Sequence, residues 1–153
     1  FLLPYLRASH DYYINHRLPH IERHLTRIAE SAGKKYGPIL NRFFSDYKHE
    51  VSEHFLYEEK TVFPYIESLI EGVKLGNYSI TDFEKAHNDI EDKLNDLIQI
   101  IFKYLPTNAN ASQSESIGVI FDIFQLSVDL NKHAKIEDKV LVPYVKYLEG
   151  KRL

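Results

Sequence analysis

The sequence contains no cysteine and no methionine, and it has no long apolar run. Without cysteine there are no disulfides, no thiolate zinc sites and no iron–sulfur ligands, which fits a cytoplasmic location. A membrane-spanning helix needs about 18 or more apolar residues, and the apolar start "FLLPYL" lacks the basic region of a secretory signal. Because even an initiating methionine is missing, we expect a single domain over residues 1–153 that is part of a longer protein.

The charge balance also excludes several functions. The 153 residues carry a net charge of −3, which argues against binding to nucleic acid or to an anionic membrane by this segment. The sequence shows no nucleophile–base pair and no glycine-rich loop that would hold a phosphate. A conventional hydrolase or transferase is therefore not expected.

Helical periodicity dominates the chain and strand alternation is scarce, so we predict an all-α fold. Four long amphipathic helices with short links indicate an up-down-up-down four-helix bundle. Capping boxes are expected to open the third helix, at "TDFE" (81–84), and the fourth, at "SQSE" (112–115). The predicted helices run from Pro4 to about Ala32–Gly33, from about Ile39 to Ile70, from the first capping box to about Tyr104, and from the second to about Leu148.

One motif occurs twice, as "HFLYEEKTVFPYI" (54–66) and "HAKIEDKVLVPYV" (133–145). Each copy has a histidine, a glutamate four residues later, a second acid, a lysine and then Pro-Tyr. Positions i and i+4 share one face of a helix, so His54 points with Glu58 and His133 with Glu137. Both pairs fall in the apolar stripe of their helix.

The other two helices each add one core-facing histidine, His10 in the first and His87 in the third. Burying four imidazoles and two carboxylates without compensation would cost many kcal/mol, and metal cations remove that cost. Zinc needs only four ligands, whereas six nitrogen and oxygen ligands on four helices suit two iron ions that share bridging carboxylates. The predicted metal ligands are His10, His54, Glu58, His87, His133 and Glu137.

The positions of the motifs disfavour a ferritin-like bundle and also disfavour the remaining histidines as metal ligands. Ferritin-like bundles use two Glu-x-x-His motifs, and this chain has one, Glu84 to His87. The remaining histidines lie off the ligand faces or far from them, and His16 is predicted to lie about 120° from His10 around the first helix. The histidines that we predict not to be ligands are His16, His20, His24 and His49.

These motifs resemble the hemerythrin-like, or HHE cation-binding, domains. The family signature reads here as His54…Glu58-Glu59…Phe63-Pro64, then His87, then His133…Glu137…Pro143. The opening "YLRASHDYYINHRLP" is similar to the first helix of the subgroup linked to iron-centre repair. The resemblance covers about residues 2–148 and implies a di-iron site, with other transition metals left open.

The resemblance also implies one more ligand than this chain supplies. The family usually has five histidines, and the subgroup carries one just after the first helix, where this chain reads "RIAESAGKKYG". One ion is left with an open position, or with water or a nearby side chain. The candidates for that place are Glu50, Asp129 and Tyr47, and the first two are also placed to hydrogen-bond the ligand imidazoles.

The resemblance implies two functions. The first is a non-haem di-iron domain that binds or senses a small diatomic, O2 or NO, as a metal-binding or sensor domain rather than an enzyme. Such a domain serves as the sensory input of a larger regulatory protein, for example one with a fused DNA-binding module. The alternative is a di-iron redox or iron-donating factor that repairs iron–sulfur centres under nitrosative or oxidative stress.

Overall fold

The computed structural model describes residues 2–31, 33–73, 76–104 and 113–151, without the side chains of residues 31 and 113–116. Four long helices make up this part of the chain, and three of them contain one π-helical turn, so the all-α bundle is confirmed. The π turns are Tyr13–Arg17, Glu58–Val62 and Glu137–Leu141. The α segments are α1 (Leu2–Tyr12), α2 (Leu18–Ser31), α3 (Gly33–Tyr57), α4 (Phe63–Ile70), α5 (Ile80–Tyr104), α6 (Gln113–Ile136) and α7 (Val142–Gly150).

The apolar core is divided into two clusters, one toward each end of the bundle. The larger is built from α2, α3, the second half of α5 and the first half of α6, with Leu25, Phe44 and Ile123 at its centre. The smaller is built from α1, α4, the start of α5 and α7, and includes Phe63 and Phe83. The predicted ligand residues lie along the chain between these clusters, so a polar layer separates two apolar ones.

Each π turn is followed by a proline at the same distance. The turns end at residues 17, 62 and 141, and prolines stand at 19, 64 and 143. The residue between each turn and its proline closes the π turn with a hydrogen bond to the carbonyl five residues earlier. The N–H of Phe63 donates to the carbonyl oxygen of Glu58, and the N–H of Val142 donates to that of Glu137. Proline has no N–H and clashes with the carbonyl four residues earlier in a regular helix. The wider turn accommodates it, so Pro64 neither ends nor breaks the second long helix.

The second long helix begins earlier than the sequence predicts. It starts at Gly33, not Ile39, and "YGP" lies inside it, with Pro38 exposed in its second turn. Gly33 has φ of +84°, a conformation that glycine adopts freely, so the chain reverses direction there. A Cβ at Gly37 would overlap the carbonyl oxygen of Ala29, so this glycine allows α2 and α3 to approach closely.

The predicted capping box of the third helix is wrong by two residues. The helix begins at Ile80, and the Asp82 carboxylate accepts a hydrogen bond from the backbone N–H of Ser79 at 3.1 Å. Ser79 is therefore the capping residue, and Glu84 is free to pair with Lys146 at 3.0 Å. The box expected at residues 112–115 falls on side chains outside the described set. Within the described ranges, no helix is long and apolar enough to cross a membrane.

Candidate metal centre

The four long helices bring the six predicted ligand residues together in the polar layer. All six are buried, and the side chains of Glu58 and Glu137 are 0% exposed. The Oε2 atom of Glu58 lies 2.6 Å from Nε2 of His54, and its Oε1 atom lies 3.1 Å from Nε2 of His10. The Oε1 atom of Glu137 lies 3.3 Å from Nε2 of His87 and 3.4 Å from Nε2 of His133.

The donors form two groups that share both carboxylates. Within each group, one ligand atom from every residue lies within 4.8 Å of the others. One group pairs the histidines of the first and fourth helices, and the other pairs those of the second and third. The groups are His10, His133, Glu58 and Glu137, and His54, His87, Glu58 and Glu137. Two adjacent cations bridged by two carboxylates would use every one of these atoms.

The buried donor atoms have few hydrogen-bond partners, which tests the fit of a metal. Although these atoms lie close to one another, no contact of the Glu58 or Glu137 carboxylate oxygens has hydrogen-bond geometry, and the same holds for both ring nitrogens of His10 and for Nε2 of His133. Unpaired buried polar atoms are rare in native proteins and costly. Carboxylate and imidazole are ordinary ligands of transition metals, so the residues present fit two cations.

Burial shifts the acid–base behaviour of the site. It raises the pKa of Glu58 and of Glu137 to about 7 and lowers that of His10, His54 and His133 to about 4. Burial also lowers the pKa of His87, but the adjacent Glu137 carboxylate outweighs this effect and raises it to about 9. Without a metal, Glu58 and Glu137 are partly protonated and His87 is protonated near neutral pH, and cations would displace these protons.

The second acid of each repeated motif contacts a histidine on a different helix. Asp138 lies 3.0 Å from Nδ1 of His87, and Glu59 lies 3.7 Å from Nδ1 of His10. Such outer carboxylates orient a ligating imidazole and increase its basicity. Sequence reasoning gave these two acids no role, although the doubled acid, "EE" in one copy and "ED" in the other, was visible.

A third group of possible metal-binding atoms lies on the outer side of His87. It combines His87 with Glu91 and Asp138, both of which are half-buried. Burial raises the pKa of Glu91. Glu91 lies one helical turn after His87 on α5 and was not predicted, because a single His-x-x-x-Glu spacing is common on helix surfaces.

Two of the three candidates for the missing ligand position contact other side chains. Glu50 accepts a hydrogen bond from Lys93 at 2.7 Å. Asp129 accepts from Arg17 at 2.8 Å and from Gln125 at 3.0 Å. Their predicted bonds to ligand imidazoles are not among the contacts of the described residues, and Asp138 and Glu59 occupy such positions instead.

The third candidate, Tyr47, is buried beside the site. It lines a cavity of about 30 Å³ together with His54, His133 and Glu137. Burial raises the pKa of the Tyr47 hydroxyl, so it stays protonated. Its role as a substitute for the missing histidine ligand stays a prediction.

The remaining histidines lie away from the polar layer. His16, His20 and His49 are exposed, and His24 is half-buried with its ring 4.5 Å from that of His20. No described group of three or more metal-binding side chains includes them. The first long helix thus directs His10 inward and His16 outward, as its periodicity predicts, while the ligand role of His10 stays a prediction.

One comparison with known proteins gives a match. The family model described as "Hemerythrin HHE cation binding domain" matches residues 3–145, and so includes all six residues of the polar layer. No curated protein and no solved structure matches the chain. The match is to the family as a whole, so the subgroup suggested by the first helix stays a prediction.

Proposed function

Because the chain belongs to the hemerythrin HHE cation-binding domain family, we propose that it is a non-haem di-iron domain that binds a small diatomic, O2 or NO. One observation carries the proposal: two buried carboxylates without hydrogen-bond partners stand between two pairs of histidines. A single ion would leave one histidine pair unused. Two ions use both pairs and both carboxylates.

The donor set defines what each residue would do. His10 and His133 would hold one ion, His54 and His87 the other, and the two glutamates would bridge them. Iron would supply redox activity and coordination positions that a diatomic can enter, since non-haem iron sites keep such positions open. Each ion would have four protein atoms, so no additional histidine is required for both to be held.

The surroundings favour a neutral diatomic over a larger substrate. The rings of Phe55, Phe63 and Phe83 stack against site histidines, with Phe55 3.9 Å from His10. These rings exclude bulk water and leave little room, whereas O2 and NO are small and partition into apolar interiors. We infer a sensory domain in the cytoplasm that passes the state of its iron to a regulatory partner.

Metal content and an optical spectrum of anaerobically purified protein test the proposal. We expect two iron ions per chain and a spectrum that changes on addition of NO or O2. His49→Ala is the matched control, because His49 is exposed and belongs to none of the groups of metal-binding side chains among the described residues, and it should behave like the wild type. Fewer than two ions in protein purified with ample iron, or a spectrum that neither gas changes, would contradict the proposal.

A second function is favoured by the third group, His87 with Glu91 and Asp138. Acidic oxygens on the outer side of a site histidine offer an ion a stopping place between the layer and solvent, as an iron-donating factor requires. Transfer of iron to a chelator should then slow in Glu91→Gln while the iron content is retained. Equal transfer rates in that variant and the wild type would leave diatomic binding as the better reading.

A further inference from the structure

The two copies of the repeated motif differ at the residue that follows each histidine. "HF" in the second helix places Phe55 next to His54, and "HA" in the fourth places Ala134 next to His133. Later in the motif, Phe63 of the first copy corresponds to Val142 of the second. The first copy of the motif therefore carries phenyl rings at two positions where the second copy has an alanine and a valine.

Phe55 and Phe63 both cover the histidine of the first helix. The Phe55 ring lies 3.9 Å from the His10 ring and within 10° of parallel, and the Phe63 ring lies 5.6 Å away. Tyr13 adds a further ring 6.1 Å from Phe55. His10 is therefore closely covered by aromatic side chains.

Ala134 stands in the corresponding place beside the other half, and a cavity lies there. The cavity of about 30 Å³ is lined by His54, His87, His133 and Ala134, with Phe55 on one wall, and it lies between α3, α5 and α6. Its walls pass the half-buried Leu94 and Leu130 and reach the exposed Asn95 and Asn131. The lining of the cavity thus extends from exposed residues of α5 and α6 to two of the predicted ligand histidines.

The size and charge of this space indicate its occupant. A water molecule needs roughly 10–15 Å³ of such volume, so about 30 Å³ suits a molecule of two atoms and excludes an organic substrate. The half-buried Glu91 also lines the cavity. A carboxylate there disfavours anions, so the space suits a neutral diatomic.

We propose that the diatomic ligand reaches the dinuclear site between α5 and α6 and binds on the side of His54 and His87, because the cavity beside Ala134 reaches both of these histidines, whereas Phe55 and Phe63 cover His10. This inference rests on the proposed function for its ligand. It adds the route, the side of the site and the residue that determines both.

The main test is Ala134→Phe, which places in the fourth helix the ring that the second helix already has. In iron-loaded protein, the association of NO measured by stopped flow should slow at least tenfold while two iron ions per chain are retained. Lys135→Phe is the matched control, since it adds the same ring at the exposed neighbour of Ala134, outside the cavity, and its association rate should equal that of the wild type. Unchanged NO association in an iron-replete Ala134→Phe variant would overturn the proposal.

A second variant covers the case in which Ala134→Phe does not fold. Asn131→Tyr changes an exposed residue at the outer end of the cavity and should also slow NO association, by at least threefold. Because Asn131 is exposed, the substitution should leave the fold intact, and circular dichroism checks that it does. A wild-type rate in folded Asn131→Tyr would show that the ligand takes another route.

A measurement on metal-free protein separates this inference from the proposed function. Under O2 pressure, the NMR signals of the buried Val51 methyls, which border the cavity, should show paramagnetic relaxation that is lost in Ala134→Phe. The methyls of Val145, in the smaller apolar cluster, serve as the internal control. If Val51 shows no more relaxation than Val145, the route is wrong whether or not iron binds. If Val51 responds but the iron-loaded wild type does not bind NO, only the proposed function fails.

Discussion

The half of the site that contains His10 and the half that contains His87 have the same kinds of donor and different surroundings. Each half has two imidazoles and shares both carboxylates. His87 has Asp138 at 3.0 Å and an adjacent cavity, whereas His10 has Glu59 at 3.7 Å and is covered by Phe55. The repeated motif thus accounts for two similar groups of candidate ligands, and the neighbouring residues give the His87 group the shorter contact with an outer carboxylate and the adjacent cavity.

The largest expected effect comes from removing one of the two carboxylates that both halves of the site share. Glu58→Ala should reduce bound iron below one ion per chain, because both groups lose a ligand, and Glu137→Ala should do the same. With iron at 100 times its dissociation constant, loss of one bound ion lowers the free energy of unfolding by about 2.7 kcal/mol. Metal analysis and thermal denaturation check this. Two ions and an unchanged melting temperature in Glu58→Ala would rule out a shared carboxylate.

Removing one histidine should affect metal binding in only one half of the site. His10→Ala and His87→Ala should each retain about one ion per chain, since each removes a ligand from one group only. Isothermal titration with Fe(II) or Co(II) under anaerobic conditions measures the number of sites. His16→Ala, which alters an exposed residue on the first helix, is the control and should retain two. If His16→Ala loses an ion and His10→Ala does not, the first helix is rotated from its position here.

The outer acids should affect the halves unequally. Asp138→Asn should weaken one metal position by about 10–100-fold, the usual effect of removing a carboxylate that orients a ligand histidine. Glu59→Gln should have a smaller effect, because its contact with His10 is longer and its side chain is 39% exposed. Competition with a chelator measures both affinities. A larger loss of affinity in Glu59→Gln than in Asp138→Asn would show that the outer acid matters more beside His10 than beside His87.

The pH dependence should differ between the metal-free and the metal-loaded protein. Burial raises the pKa of Glu58 and Glu137 from 4.5 to about 7, and the pKa of His87 rises from 6.5 to about 9. The folded state therefore binds more protons than the unfolded state between pH 6.5 and 9, so the stability of metal-free protein should fall as the pH rises through this window. The histidines with pKa near 4 act in the opposite direction, but only below pH 6.5.

Metal binding should follow the reverse trend, because the ion displaces these protons. Affinity should increase from pH 6.5 to 9, and proton release should be measurable by titration in buffers of different ionisation enthalpy. Chemical denaturation at several pH values measures the stability of the metal-free form. The smallest effect is expected for Glu58→Gln, which removes one titrating group and should make the metal-free stability less dependent on pH near 7. A dependence as steep as that of the wild type would show that Glu58 does not carry the proton.

Much of the fold and the choice of buried polar residues followed from the sequence by itself. The helical period is local, so apolar stripes predicted four long helices, and the i to i+4 spacing placed Glu58 with His54 and Glu137 with His133 on inward faces. The first helix likewise directed His10 inward and His16 outward. The starts of two helices were predicted less well. Both Ser79 and Thr81 have the spacing of a helix cap, so the sequence did not decide between them. The chain reverses at Gly33, so the second long helix begins before "YGP" and not after it.

The tertiary structure decided what depends on contacts between helices. Spacing along one helix does not specify which histidine of another helix comes near, so the pairing of His10 with His133 and of His54 with His87 required the packed bundle. The same holds for Asp138, which reaches a histidine on the third helix, and for Asp129, which pairs with Arg17 instead of a histidine. Ala134 was an ordinary alanine in the sequence. Only the packing of α5 beside α6 shows the space next to it, because a cavity is defined by all of its walls together.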